Sequence, residues 1–276
     1  MKIKLGLFVK EAILFMATVA VGIFSAYQYF ISPVFESLPE VKFGWGDFVF
    51  LVLLMLFVLF ASRYKKVSRI SFRIFLVLVI FSGTQIVTAS FLAPPIELLA
   101  TLLVVLVFIF VRNVISHNIG VVLGIAGVGS ILGLSISPKT AVFIMIALSF
   151  YDIIAVYVTK HMVRMARDMM DAGAIFGFII PLDIKGFLSK KQEAQNQIGE
   201  RFMILGSGDI GLPVILASSM VQYTVVGAVI VALFSLLGLF ATHLIFVNQR
   251  ERKPMAALPP IAIMSTIGYL LALFLL

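Results

Sequence analysis

The sequence contains no cysteine. That excludes disulfides, thiolate metal sites and a cysteine nucleophile. Charge is scarce as well: 12% of the 276 residues are Asp, Glu, Lys or Arg, against roughly 25% in soluble domains. The three histidines, His117, His161 and His243, are far apart and form no metal-ligand spacing. No metal or other cofactor is expected. No small-residue cleavage site follows the first apolar run, which therefore reads as a retained span rather than a cleaved signal. There is no long-period repeat and no low-complexity tract. What the chain does have is apolar surface, with 62% hydrophobic residues and a mean hydropathy of +1.15. It reads as a polytopic membrane protein in a lipid bilayer. The net charge of +8 then reflects Lys and Arg in loops on one membrane face, not a nucleic-acid partner.

A membrane-crossing helix needs about 20 mostly apolar residues. Nine candidates follow: about Glu11 to Ile31, Asp47 to Ser62, Ser71 to Leu92, Ile96 to Val111, Ile119 to Ile136, Lys139 to about Lys160, Phe202 to Met220, Tyr223 to Val247, and Leu258 to Leu276. The fifth is rich in glycine, which lets helices approach closely in lipid. The sixth continues as a polar, amphipathic stretch to Asp171. Spans three and four are separated only by Ala93-Pro94-Pro95, and spans seven and eight are nearly continuous, so both pairs read as tight antiparallel hairpins. With nine spans, all 21 Lys and Arg except Lys42 and Lys139 fall on one side. That side is cytoplasmic by the distribution of positive charge, leaving the N-terminus inside and the C-terminus outside a cell membrane. The chain is expected to form a single transmembrane domain over 1–276. Within it, 1–137 is a scaffold of five helices and 138–276 carries four more, with a cytoplasmic loop at about 172–200. In that loop Ala174 to Leu182 is apolar but too short to span, and reads as a strand, an interfacial segment or a re-entrant piece. Ser189 to Glu200 is polar and reads as mobile.

Two carboxylates stand inside this apolar sequence. Asp152 lies in Ser149-Phe150-Tyr151-Asp152-Ile153-Ile154, and Asp209 lies in Leu205-Gly206-Ser207-Gly208-Asp209-Ile210-Gly211. A charged residue within a span is expensive and marks a functional site by default. Each sits about eight residues from the cytoplasmic end of its helix, on the order of 12 Å deep at 1.5 Å per residue. Adjacent antiparallel helices would present them at matching depth. Two close carboxylates in low dielectric cannot both ionise easily and share a proton. That is what a water-activating aspartic dyad requires. The same two residues would also serve a cation- or proton-coupled transporter or leak channel, although that reading expects an internal repeat and polar residues on several spans. The glycines at 206, 208 and 211 allow another backbone to approach Asp209 and weaken the helix start. Tyr151 either packs or hydrogen-bonds near the pair. Asp168, Asp171 and Asp183 read as solvated loop residues. Glu11 and Glu97 sit at span ends and receive no role, and His243 is read as structural.

Tyr151-Asp152 followed by Gly206-Ser207-Gly208-Asp209 resembles the paired motifs of the presenilin and signal peptide peptidase family of intramembrane aspartyl proteases. Ala256-Ala257-Leu258-Pro259, at the start of the last span, is similar to that family's third motif, Pro-Ala-Leu. The resemblance implies a presenilin-like fold with nine transmembrane helices, all-α, and Asp152 and Asp209 as the catalytic pair. It further implies that Tyr151, Gly206, Ser207, Gly208, Ala256, Ala257, Leu258 and Pro259 shape the site or position substrate. Substrates would be single-span membrane proteins or peptides, cleaved within the span, and homo-oligomers are compatible with the pattern. Two positions depart from the family: Ala256 replaces the motif proline and Ser207 the usual leucine. The inside N-terminus matches the presenilin branch, and the short chain without hydrophilic tails suggests an archaeal homologue. A substrate helix must unwind before attack, and its freed backbone groups then need partners. Addition to a strand edge supplies them. Phe176 to Leu182, Phe202 to Leu205 and Ala257 to Pro259 are the expected edges.

Overall fold

The computed structural model describes residues 4–33, 65–249 and 254–275. It is a helical bundle with one small sheet at one end. The elements are α1 (Leu5–Phe30), α2 (Lys65–Ala89), α3 (Ile96–Phe110), α4 (Val114–Ser135), α5 (Pro138–Ile153, continued by a π-helical turn over Ile154–Val158), α6 (His161–Asp171), β1 (Gly177–Pro181), a 3₁₀ turn (Ile184–Leu188), α7 (Lys191–Asn196), β2 (Phe202–Gly206), α8 (Ser207–Met220), α9 (Val225–Val247) and α10 (Leu258–Leu275).

Helix α4 is the centre. It packs on α1, α2 and α8 and is the most buried of the long apolar helices. Its glycines make that possible. A Cβ on Gly127 would stand 1.9 Å from the Gly83 carbonyl oxygen of α2, and one on Gly133 would stand 2.6 Å from the Ile215 oxygen of α8. Backbone thus meets backbone, the close approach that drives helix association where lipid is as apolar as the core. Asn113 starts α4 by accepting the Ser116 N–H at 2.7 Å, and Ser137 starts α5 the same way through Thr140, ahead of Pro138 at the first helical position. Polar side chains within the helices find one another. Ser235 and Ser265 bond between α9 and α10 at 2.7 Å, and His243 Nδ1 lies 3.0 Å from both carboxylate oxygens of Glu11. Glu11, which had no expected role, and His243, read as structural, thereby form a buried pair joining α1 to α9.

Strands β1 and β2 run antiparallel, with Gly177 opposite Gly206, Ile179 opposite Ile204 and Pro181 opposite Phe202. Aromatic and β-branched residues in both runs suit a pleated surface. Gly177 has φ +153°, and any Cβ there would meet the Leu205 oxygen at 2.2 Å.

Four expectations stand beside the structure as follows. First, the nine spans are met in part: among the described residues six helices are long and apolar enough to cross a membrane, Ile96–Phe110 and Ser207–Met220 are shorter, and the expected span Asp47 to Ser62 lies outside those residues. Second, the fold is not purely helical, because the expected seventh span begins as β2 and becomes helical only at Ser207. Pairing with β1 outweighs helix formation just before Gly206-Ser207-Gly208. Third, the amphipathic stretch to Asp171 is a helix of its own, set off from the sixth span. Lys160 takes a left-handed conformation at φ +54°, and α6 starts afresh at His161. Fourth, 189–200 is anchored rather than loose. Val114 N–H bonds Ser189 O at 3.1 Å, Lys191 N–H bonds Arg112 O at 2.8 Å, and Ala194 is fully buried.

Candidate active site

Asp152 sits in the last turn of α5, two residues before the helix widens into its π-helical turn. Such single wide turns concentrate at functional sites. The residue is buried, at 7% exposure. Its carboxylate accepts the backbone N–H of Leu258, while Oδ2 is buried and has no partner among the described residues. Leu258 is the first residue of α10 and is followed by Pro259 and Pro260, which have no N–H. Asp152 therefore takes the one free N–H of that first turn, at the positive end of the helix dipole.

Asp209 is the third residue of α8 and half-buried. Its carboxylate reaches back to the N–H of Gly206, the residue that caps the helix. This is the acidic half of a capping box. A Cβ on Gly206 would stand 3.1 Å from Asp209 Oδ2, so glycine keeps room beside the carboxylate. Asp152 is near enough for its charge to act on Asp209. The two carboxylates thus lie on packed helices, one buried at the end of α5 and one half-buried at the start of α8.

The other expected site residues are placed as follows. Ser207 extends the ladder through its N–H to Phe176 O at 3.1 Å. Gly208 is exposed, with open space where a side chain would be. Ala256 and Leu258 are buried at 5% each, Ala257 O accepts the Thr242 hydroxyl at 3.1 Å, and Pro259 lies in the first turn of α10. The Tyr151 hydroxyl turns to His161 Nε2 at 2.8 Å, and His161 Nδ1 in turn meets Thr159 Oγ1 at 2.9 Å. Tyr151 therefore ties the end of α5 to the start of α6.

The sheet beside Asp209 has two unlike outer edges. Ser207 N–H to Phe176 O and Leu182 N–H to Arg201 O fix which pairs bond inward, so Gly177, Ile179 and Pro181 of β1 point outward. All three are taken. His117 Nε2 meets Gly177 O at 3.0 Å. Asn118 donates to Ile179 O at 2.8 Å and accepts from Ile179 N–H at 2.9 Å. Lys10 Nζ donates to Pro181 O at 2.9 Å. On β2, Phe202 is occupied through Gln197 and Gly199, and Gly206 N–H serves Asp209. Among the described residues nothing meets the outward N–H and C=O of Ile204. His117, Asn118 and Lys10 had no role in the sequence reading. The adjacent polar pair His117-Asn118 at the head of an apolar helix was the available signal.

Among the described residues no group of His, Asp and Glu could hold a metal ion. Residues 10–276 match the family described as signal-peptide peptidase, presenilin aspartyl protease. Two solved structures are similar, each of a presenilin family intramembrane aspartate protease. One, in space group C222, is 22% identical with a TM-score of 0.61, over 97% of this chain and 98% of its own. The other, in space group P2, is 21% identical with a TM-score of 0.64, over 99% and 98%. No curated protein matches the chain. Nothing in these likenesses supports the transporter alternative.

Proposed function

The chain belongs to the signal-peptide peptidase and presenilin family of aspartyl proteases, and on that premise we propose that Asp152 and Asp209 are its catalytic dyad. The observation that carries this reading is their juxtaposition at the meeting of α5 and α8, with one carboxylate oxygen of Asp152 buried and free. One carboxylate takes a proton from water, and the resulting hydroxide attacks the scissile carbonyl carbon. The other carboxyl gives its proton to the carbonyl oxygen, forming a tetrahedral diol. Collapse of the diol breaks the C–N bond as a proton passes to the leaving nitrogen, and the dyad regains its starting protonation.

Substrates are membrane-spanning segments of proteins. The open edge at Ile204, five residues before Asp209, supports strand addition: an unwound substrate gains a donor and an acceptor beside the carboxylates. The division into a scaffold over 1–137 and a catalytic half over 138–276 belongs to the same proposal, with His117 and Asn118 as the scaffold's grip on β1. The placement of Lys and Arg supports nine spans in a cell membrane, with the N-terminus cytoplasmic and the dyad toward that side. Single-span substrates with an outside N-terminus fit this orientation.

The test is cleavage of a single-span substrate by purified protein in bilayers, with products identified by mass. Asp152→Asn and Asp209→Asn are each expected to lower intraspan cleavage by about 10³-fold or more. Cleavage that survives either change removes that residue from the dyad.

A further inference from the structure

Thr242 lies on α9, outside all three motifs, and is buried at 6% exposure. Its hydroxyl oxygen stands 3.1 Å from Ala257 O and 3.1 Å from Gly238 O, one turn back on its own helix. A helical threonine ordinarily bonds only that preceding carbonyl. Here the second acceptor belongs to the stretch leading into α10. Ala257 C=O and Leu258 N–H are the two ends of one planar peptide group. The N–H end donates to Asp152.

We infer that Thr242 is a positioning residue for the dyad: its hydroxyl holds the Ala257–Leu258 peptide in the orientation that aims Leu258 N–H at Asp152. This rests on the reading of Asp152 as a catalytic carboxylate. A peptide whose oxygen accepts a hydrogen bond also becomes a better donor at its N–H, and in a low-dielectric interior that polarisation is felt strongly. The seat of Thr242 is itself fixed from two sides. Its neighbour His243 is held by both oxygens of Glu11, at 3.0 Å each. One turn earlier, Gly238 lets α10 lie directly on α9, since a Cβ there would stand 2.6 Å from Ile261 Cα and 2.9 Å from Pro260 O. The α9 face from Gly238 to Thr242 is moulded on the start of α10. This arrangement also bears on Ala256. Where the family's third motif begins with proline, this chain has alanine, and a bond from α9 restrains the next peptide instead.

The test uses the full-length protein in bilayers with a single-span substrate and a peptide carrying a hydroxyl isostere of the tetrahedral diol. Rates are referred to active sites titrated with the isostere, so that misfolded molecules are not counted. Thr242→Val keeps the shape and deletes the hydroxyl. It is expected to lower kcat about tenfold and weaken isostere binding by a similar factor, the size of one lost hydrogen bond, with KM changed less than about twofold. Thr242→Ser restores the hydroxyl and is expected to recover most of kcat. Ser235→Ala removes another α9–α10 bond, that to Ser265 at 2.7 Å, and is expected to lower thermal stability while leaving kcat unchanged. A Thr242→Val enzyme with unchanged kcat, a loss confined to KM, an equal kcat loss in Ser235→Ala, or no recovery in Thr242→Ser would each overturn the assignment. Cleavage surviving Asp152→Asn would sink the reading of Asp152 on which it rests, whereas a failure of Thr242→Val alone leaves that reading standing.

Discussion

The two outer edges of the β1–β2 sheet are made from similar sequences and treated in opposite ways. Gly177-Phe178-Ile179-Ile180-Pro181 and Phe202-Met203-Ile204-Leu205-Gly206 are both short, apolar and β-prone. The first is closed by side chains from α1 and α4. The second is left open at Ile204, on the side where Asp209 follows. An open strand edge is a liability that proteins normally cover, and here one edge is covered while the one next to the carboxylates, among the described residues, is unmet at Ile204. The comparison teaches that closure of β1 and availability of β2 are separate tasks. The first should appear in stability and the second in catalysis.

The largest expected effect is on the closed edge. Asn118→Leu leaves the N–H and C=O of fully buried Ile179 without partners and is expected to cost about 2–4 kcal/mol, read as a drop in thermal unfolding temperature. An unchanged melting temperature would mean that Asn118 does not close the edge. On the open edge, Ile204→Pro removes only the outward N–H, since the inward ladder is made by neighbouring residues. Cleavage of a single-span substrate is expected to fall about tenfold or more, the scale of a lost buried hydrogen bond plus altered strand fit, with little loss of stability. Equal cleavage by this variant would remove β2 as the docking edge. A smaller effect is expected at the end of β1. Lys10→Met gives up the bonds to Pro181 O and Leu182 O, at 2.9 and 2.5 Å, and should lower stability by about 1 kcal/mol while kcat stays near wild type.

A further expectation is a pH dependence set by Lys191, at the start of α7. Lys191 lies with Nζ 5.5 Å from the Phe108 ring centre, and burial, then the nearby Arg73 charge, lower its ammonium pKa from 10.5 to about 8. Between those two values the unfolded chain holds a proton that the folded chain has released, so stability should rise with pH across that window. Thermal unfolding followed from pH 8 upward should show this rise in the wild type and a flatter profile in Lys191→Met.

Much of the candidate site was legible without the fold, for reasons of cost. Asp152 and Asp209 stand out because a carboxylate in an apolar span is hard to retain without a use, and the glycines at 206 and 208 mark the place where another group comes close. Two of the expected edges, Phe176 to Leu182 and Phe202 to Leu205, contain the strands, whereas Ala257 to Pro259 leads into α10, which starts at Leu258. Local composition misled where tertiary contacts decide. The polar run 189–200 reads as loose, yet it is pinned to the turn between α3 and α4 by backbone bonds. Phe202 to Leu205 reads as helix start as readily as strand, until β1 is there to pair with it. Glu11 and His243 carry no common pattern, and only the packing of α1 on α9 brings them together.

The sequence by itself determined the solvent, the approximate helices and the two carboxylates, because hydropathy and the expense of a charge in lipid are properties of residues. The tertiary structure alone decided what those carboxylates touch. Leu258 N–H reaches Asp152, Thr242 reaches the other end of the same peptide, and Asn118 closes one strand edge while no described residue meets Ile204. Hydrogen bonds depend on distances of about 3 Å between atoms, and no spacing along the chain fixes such distances until the helices have packed.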